Sequence, residues 1–194
     1  MRRELQRLSP RPPVLDFSQD YFALFGLPVG FPVDLERLAD AYRALQGAVH
    51  PDRFAAGSDQ ERRLSMQAST RVNEAFQTLK DPLSRARYLL VLHTGDPGTD
   101  HQTTRDAAFL MEQMELRETL AEARGQSDPQ AVIGAVLDQL QRQDRALHVE
   151  LTGLFAEPTE DRLTAAREAV RKLQFLDKCR REAEALEADL EVGG

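Results

Sequence analysis

The 194-residue chain is 41% hydrophobic but only 6% aromatic and lacks Trp, so its core must be built mainly from Leu, Ala and Val. Charged residues reach 29% with a net charge of −7, which argues against nonspecific nucleic-acid binding, because that needs a basic field. A single cysteine, Cys179, excludes an intrachain disulfide and a cysteine-based metal cage, and no apolar run approaches the roughly 18 residues a membrane span requires.

Residues 1–19 open with "MRRELQRLSPRPPVLDF", which lacks the apolar centre of a secretory signal. Its arginines partly fit an organellar transit peptide, but Glu4, Asp16 and the prolines at 10, 12 and 13 favour a flexible or loosely docked extension. With one cysteine and no signal, a cytoplasmic protein is expected. A short helix is predicted from Asp20 through "YFALF" to Gly26. The next helix is capped by Asp34 and repeats Leu35, Leu38, Tyr42, Leu45 and Val49 at helical spacing. Pro51 removes a backbone donor and drives His50 out of the helical region, so this helix stops there.

A polar loop then closes on Gly57, and "SDQE" at 58–61 forms a capping box. The helix it opens carries Leu64, Ala68, Val72, Ala75 and Leu79 on one stripe, and the short connection predicts antiparallel packing against its predecessor. Asp81 and Pro82 start another helix, with Tyr88, Leu89 and Leu92 as its apolar residues. Gly95, Pro97 and Gly98 mark residues 94–103 as a linker. Three helices are predicted beyond it: one boxed by Thr103 and Asp106, one started by Asp128-Pro129, and one capped by Thr159 and running to about Leu190. The second of these repeats Ile133, Val136, Leu140, Leu147, Leu151 and Leu154. The fold class is therefore all-α in two modules, residues 20–93 and 104–194.

The His50-Pro51-Asp52 turn admits four readings: a helix stop, half of a metal site, part of a catalytic site, or a contact for another protein. Metal needs three or four converging ligands, and His93, His101 and His148 lie far off without ligand spacing. Catalysis would need an oriented histidine beside a nucleophile, and the chain holds neither a phosphate-binding glycine loop nor a nucleophile elbow. Taken alone, the turn is a proline-terminated helix with a polar loop. Its setting adds information: a short aromatic helix, a long helix, the His-Pro-Asp turn, and a second long helix ending "VNEAFQTLKDP" at 72–82.

That arrangement over residues 20–93 resembles a J domain, an antiparallel helical hairpin carrying a His-Pro-Asp signature. The resemblance implies docking onto an ATP-driven chaperone whose ATPase is stimulated, with no catalytic residue in this chain. It assigns His50, Pro51 and Asp52 to the contact, with Arg53 and Arg43 steering toward an acidic surface. An Asp52 carboxylate held in place can accept a charge-assisted bond from a partner arginine, worth about 1.5–3 kcal/mol. Two features depart from the family pattern. Val49 stands where an aromatic is usual, and the helix over 34–49 sets only Arg37 and Arg43 against Asp34, Glu36 and Asp40. Gly47 within that helix adds a cost of about 1 kcal/mol relative to Ala.

The second module poses a separate question. In "FLMEQMELRE", 109–118, Phe109, Leu116 and Leu120 fall on one stripe and Leu110, Met114 and Ala121 on another, roughly 100–140° away. Met111, Glu115, Glu118 and Glu122 flank the second stripe. The pattern fits either a broad core stripe with a solvated acidic side, or an exposed apolar strip edged by carboxylates for a partner with a basic rim. In "RKLQFLDK", 171–178, Val170, Leu173 and Leu176 go to the core, which displaces Phe175 to its fringe, toward Leu110 and Met114.

Together with "YFALFGLP" and "RDAAFLMEQMELRE", these stretches resemble the HscB family of J-type co-chaperones of iron–sulfur cluster assembly, over about residues 20–190. The resemblance implies a C-terminal three-helix bundle that holds an IscU-like scaffold through Leu110, Met111, Met114, Glu115, Glu118, Glu122 and Phe175, and a J domain that engages an HscA-like chaperone. Met114 replaces a common leucine, a volume-conserving change. No paired cysteines precede the J domain, which matches bacterial members of the family. No cofactor, metal, nucleic-acid or membrane partner is expected. Two rivals stand beside this reading: a general J-domain co-chaperone for unfolded clients, and a metal protein or enzyme built on His50 and Asp52.

Overall fold

The computed structural model describes residues 16, 18–95 and 104–193. Helices account for all of the regular structure among them: α1 (Tyr21–Leu24), α2 (Leu35–Val49), a 3-10 turn (Pro51–Phe54), α3 (Asp59–Lys80), α4 (Pro82–Thr94), α5 (Ala107–Glu122), a second 3-10 turn (Ala123–Gly125), α6 (Pro129–Ala156) and α7 (Glu160–Gly193). The chain divides into two compact units, Met1–Arg85 and Ala86–Gly194. The division falls within α4, ahead of the expected linker at 94–103, of which residues 96–103 lie outside the described residues. Most of the expected extension at 1–19 lies outside them too.

Side-chain caps set the helix starts, each accepting from otherwise orphaned amides. Asp20 accepts from the Ala23 amide at 2.8 Å, and Asp34 from those of Glu36 and Arg37 at 3.1 and 3.0 Å. Ser58 and Glu61 form the expected reciprocal box, with the Ser58 amide donating to Glu61 at 2.8 Å. Asp81 accepts from the Ser84 amide at 2.7 Å and Thr159 from the Arg162 amide at 3.4 Å. Helix α1 ends at Gly26, whose φ of +62° is the left-handed conformation that favours glycine.

In the first unit α2 and α3 pair antiparallel. Tyr42 stacks on Phe76 with centroids 4.0 Å apart and donates to Asn73 at 2.9 Å, while the end of α2 meets Ser65, near the start of α3. Leu38, Val49, Ala68, Val72, Ala75 and Leu79 are buried between the helices, together with Phe22, Phe25 and Phe31 from the N-terminal segment. Leu35, Leu64 and Leu92 were expected on core stripes but are exposed. At α3 the buried residue is Ser65, one position and about 100° further round the helix.

In the second unit α5, α6 and α7 form a three-helix bundle. The short connection through the second 3-10 turn makes α5 and α6 antiparallel neighbours, and Gln113 and Glu112 pair with Gln143 and Gln139 across them. Helix α5 runs parallel to α7, because Asp106, Phe109, Arg117 and Arg124 meet Lys172, Phe175, Glu182 and Asp189 in the same order. Ile133, Val136, Leu140, Leu147 and Leu151 are buried as their spacing predicts, with Phe155 deeper than the expected Leu154. The start of α5 differs from the sequence expectation. Asp106 is itself the cap, accepting from the Phe109 amide at 3.0 Å, so the helix begins later than a Thr103–Asp106 box would place it.

Candidate functional site

The turn between α2 and α3 is tethered from three directions. Val49 is fully buried, and its carbonyl accepts a 2.7 Å bond from the buried Ser65 hydroxyl. Arg53 donates to the Gly47 carbonyl at 2.9 Å, satisfying one of the acceptors that the end of α2 leaves open. Phe54 is buried and seals the underside of the turn. Between these anchors His50 takes φ −58° and ψ 127°, the extended conformation that a following proline requires.

His50 is the cap of the 3-10 turn. Its Nδ1 accepts from the Asp52 amide at 3.3 Å. The Asp52 carboxylate stands 3.6 Å from the same ring, and its side chain is 91% exposed. The backbone of Asp52 is thus fixed while its charge faces solvent. Arg53 is drawn back onto α2, and Arg43, on the outer face of α2, forms an ion pair with Asp40. His50, Pro51, Asp52 and Arg53 therefore share one corner, and Arg43 stands apart on the helix.

The second candidate surface lies along α5. Leu116, Leu120 and Gln113 face the bundle interior. On the outer side Met111 and Met114 are 64% and 70% exposed, Leu110 is half-buried, and Glu115, Glu118 and Glu122 are exposed. Large apolar side chains left in water beside carboxylates rule out the core-stripe alternative for Met111 and Met114 and make this side of α5 a candidate interaction face. Val170, Leu173 and Leu176 are buried on α7, and Phe175 is half-buried at its flank.

Phe175 is gripped from α5. The Phe109 ring meets it edge-on, with centroids 6.0 Å apart at 76°, and the Arg117 guanidinium lies 4.7 Å from its centroid. Arg117 is in turn ion-paired to Glu182 at 3.3 Å. Neither Arg117 nor Glu182 was singled out in the sequence. Their pairing depends on the parallel register of α5 and α7, which no local pattern encodes. Gln113 is a second surprise, a fully buried amide that donates to Gln143 at 2.9 Å across α5 and α6.

The buried Cys179, one turn beyond Phe175, is a packing residue, and its thiol pKa is pushed up by burial. Among the described residues no group of three potential metal ligands converges, and no helix is long and apolar enough to cross a membrane.

Comparison with known proteins places these features. Residues 105–184 match the family model described as the HSCB C-terminal oligomerisation domain. A co-chaperone protein HscB homolog of Aromatoleum aromaticum is 48% identical over 177 residues, covering 90% of this chain and 97% of the relative. Its counterpart in Ralstonia nicotianae is 46% identical, covering 88% and 96%. Among solved structures, chaperone HscB from Vibrio cholerae superposes with a TM-score of 0.79 at 40% identity, covering 89% of this chain and 99% of that one. Human co-chaperone protein HscB gives the same TM-score at 32% identity, covering 88% and 83%. The all-α fold, with an N-terminal J domain and a C-terminal helical bundle, is common to this group.

Proposed function

The chain belongs to the HscB family of co-chaperones, and on that premise we propose that it delivers an iron–sulfur cluster scaffold of the IscU type to an ATP-driven chaperone of the HscA type and stimulates the chaperone's ATPase. The observation that carries this reading is a pair of exposed features, one in each unit. One unit offers a single carboxylate, Asp52, on a tethered corner. The other offers Met111 and Met114 in an acidic border.

In this reading Asp52 accepts a charge-assisted bond from a chaperone arginine, and His50 and Pro51 hold the corner that aims it. Arg53 acts by closing α2, and Arg43 adds exposed positive charge for steering. Leu110, Met111, Met114 and Phe175 receive an apolar patch of the scaffold, and Glu115, Glu118 and Glu122 meet its basic rim. Carrying both partners on one chain raises their effective concentration, which couples scaffold loading to ATP hydrolysis. The hydrolysis takes place on the chaperone, and this chain supplies no reacting group. A cytoplasmic setting fits the single buried cysteine.

A pair of variants tests the division of labour. Asp52→Asn keeps the shape but removes the charge. It should cut stimulation of the chaperone ATPase by about 10–100-fold while scaffold affinity stays unchanged. Leu110→Ala combined with Phe175→Ala should do the reverse, read by calorimetric titration with the scaffold. If either variant, still folded, damaged both activities, the two-site reading would be wrong. Affinity for many unfolded peptides in place of one folded scaffold would favour a general co-chaperone.

A further inference from the structure

The Phe175 ring is half-exposed on the flank of α7, where an unsupported aromatic would be free to lie down over neighbouring apolar surface. It is held on two sides. Phe109 presents its edge, and the guanidinium of Arg117 sits 4.7 Å from the ring centroid. Glu182 grips that guanidinium from beyond, with Oε2 3.3 Å from Nε and Oε1 3.4 Å from Nη2. Phe175 and Glu182 lie two turns apart on one face of α7, so the carboxylate pulls Arg117 along the helix and keeps its plane beside the ring. We propose that Arg117 is a positioning residue: held by Glu182, it fixes the Phe175 ring in the orientation that the scaffold reads. The inference rests on the proposed scaffold-docking face, and it adds what keeps that face ready before the partner arrives. A ring fixed in advance removes the ordering cost that a mobile aromatic would impose on binding.

The fold contains its own control. Seven residues further along each segment, Arg124, in the 3-10 turn that follows α5, pairs with Asp189 of α7 at 3.0 Å. This second pair joins the end of the same segment to α7 with the same charges, and among the described residues no aromatic ring lies against its guanidinium. If an ion pair onto α7 were all that mattered, both arginines would bear on docking, the less exposed Arg117 pair somewhat more. If the ring matters, only Arg117 bears on docking.

The experiment is calorimetric titration with a purified IscU-type scaffold, together with 19F NMR of 4-fluorophenylalanine placed at 175. Arg117→Met, which keeps length but removes charge, should weaken binding about tenfold, and Arg124→Met less than about twofold. Glu182→Gln should fall between them, and Arg117→Lys should recover part of the loss. The 19F resonance should shift or broaden in Arg117→Met without any partner present, and stay unchanged in Arg124→Met. On a Phe175→Ala background, Arg117→Met should cause no further loss. Thermal melts establish that each variant is folded, and Glu182→Gln carries the test if Arg117→Met is not.

Wild-type affinity in a folded Arg117→Met would overturn the proposal. So would an equal loss on the Phe175→Ala background, which would make Arg117 a direct contact, or equal losses from Arg117→Met and Arg124→Met. Leu110→Ala monitors the underlying reading separately. If it and Phe175→Ala both bind the scaffold normally, the docking face itself is misplaced and the positioning role falls with it.

Discussion

In the proposed function, the corner at His50–Asp52 and the face along α5 solve the same problem, presenting a surface to another protein, with opposite materials. At the corner one exposed carboxylate is offered on a short 3-10 turn, and behind it, above the buried Phe54, stand hydrogen bonds between side chains and backbone: Ser65 to Val49, Arg53 to Gly47, the Asp52 amide to His50. On α5 the offer is an area, with methionines in water, and the support comes from side chains packed on side chains. A point contact fails with one atom, whereas an area fails by degrees. The comparison predicts that substitutions behind the corner act on geometry and leave the face untouched, and the reverse for substitutions behind the face.

The sharpest way to break this comparison is at Ser65, which touches no partner in either reading. Its hydroxyl is fully buried and donates to the carbonyl of Val49, the last residue of α2. Ser65→Ala removes the donor and leaves that carbonyl buried without it, a loss of about 1–3 kcal/mol from the first unit. Chemical denaturation should read this, and ATPase stimulation should drop at temperatures where the unit remains folded. Scaffold affinity should not move. If stability fell while stimulation per folded molecule stayed at the wild-type level, the Ser65 bond would serve the hairpin alone and not the corner.

On the other side, the start of α5 is set by Asp106, which caps the helix and accepts a 2.7 Å bond from Lys172 of α7. The Lys172 bond, seconded by the Phe109 amide, holds the Asp106 carboxyl below the usual carboxylate range. A carboxyl that is more acidic in the folded state stabilises it fully above its unfolded pKa of about 3.9, and that contribution is lost as pH falls through the lower folded value. Asp106→Asn preserves the cap, since Asn is an equally good one, but removes the charge. Thermal melts should therefore show wild type above Asp106→Asn at neutral pH and the two converging below about pH 4. A gap that persisted unchanged into strong acid would mean the charge is not what matters.

The comparison also explains which parts of the molecule could be read from the chain alone. Caps at Asp34, Ser58, Asp81 and Thr159 are local, involve residues a few positions apart, and were legible. So was the corner, because proline dictates its neighbours' backbone. The exposed strip on α5 was half legible: the two stripes were visible, but whether Leu110 and Met114 faced core or water depends on where α6 and α7 dock. The same limit misplaced Leu64, since periodicity gives the existence of a stripe but not its angle, and the partner helix selected Ser65 instead. Thr103 and Asp106 had the spacing of a box, yet Lys172, more than sixty positions away, anchors Asp106 as the cap. Arg117 and Glu182 carry no signal at all until α5 and α7 are set in register.

The smallest expected effect sharpens the contrast from the corner's side. Gly47 lies in the last turns of α2, where a helix gains about 0.5–1 kcal/mol when Gly is replaced by Ala, chiefly through lower entropy of the unfolded chain. A Cβ built there meets nothing within 4 Å, and the φ of Gly47 is not positive, so no steric cost opposes the gain. The Gly47 carbonyl accepts from Arg53, and a side chain at this position leaves that acceptor in place. Gly47→Ala should therefore raise the melting temperature of the first unit by a few degrees while leaving ATPase stimulation intact. Should the variant be more stable but stimulate less, the glycine would be kept for a bending of α2 during docking, and the corner would be a moving part rather than the fixed one its hydrogen bonds describe.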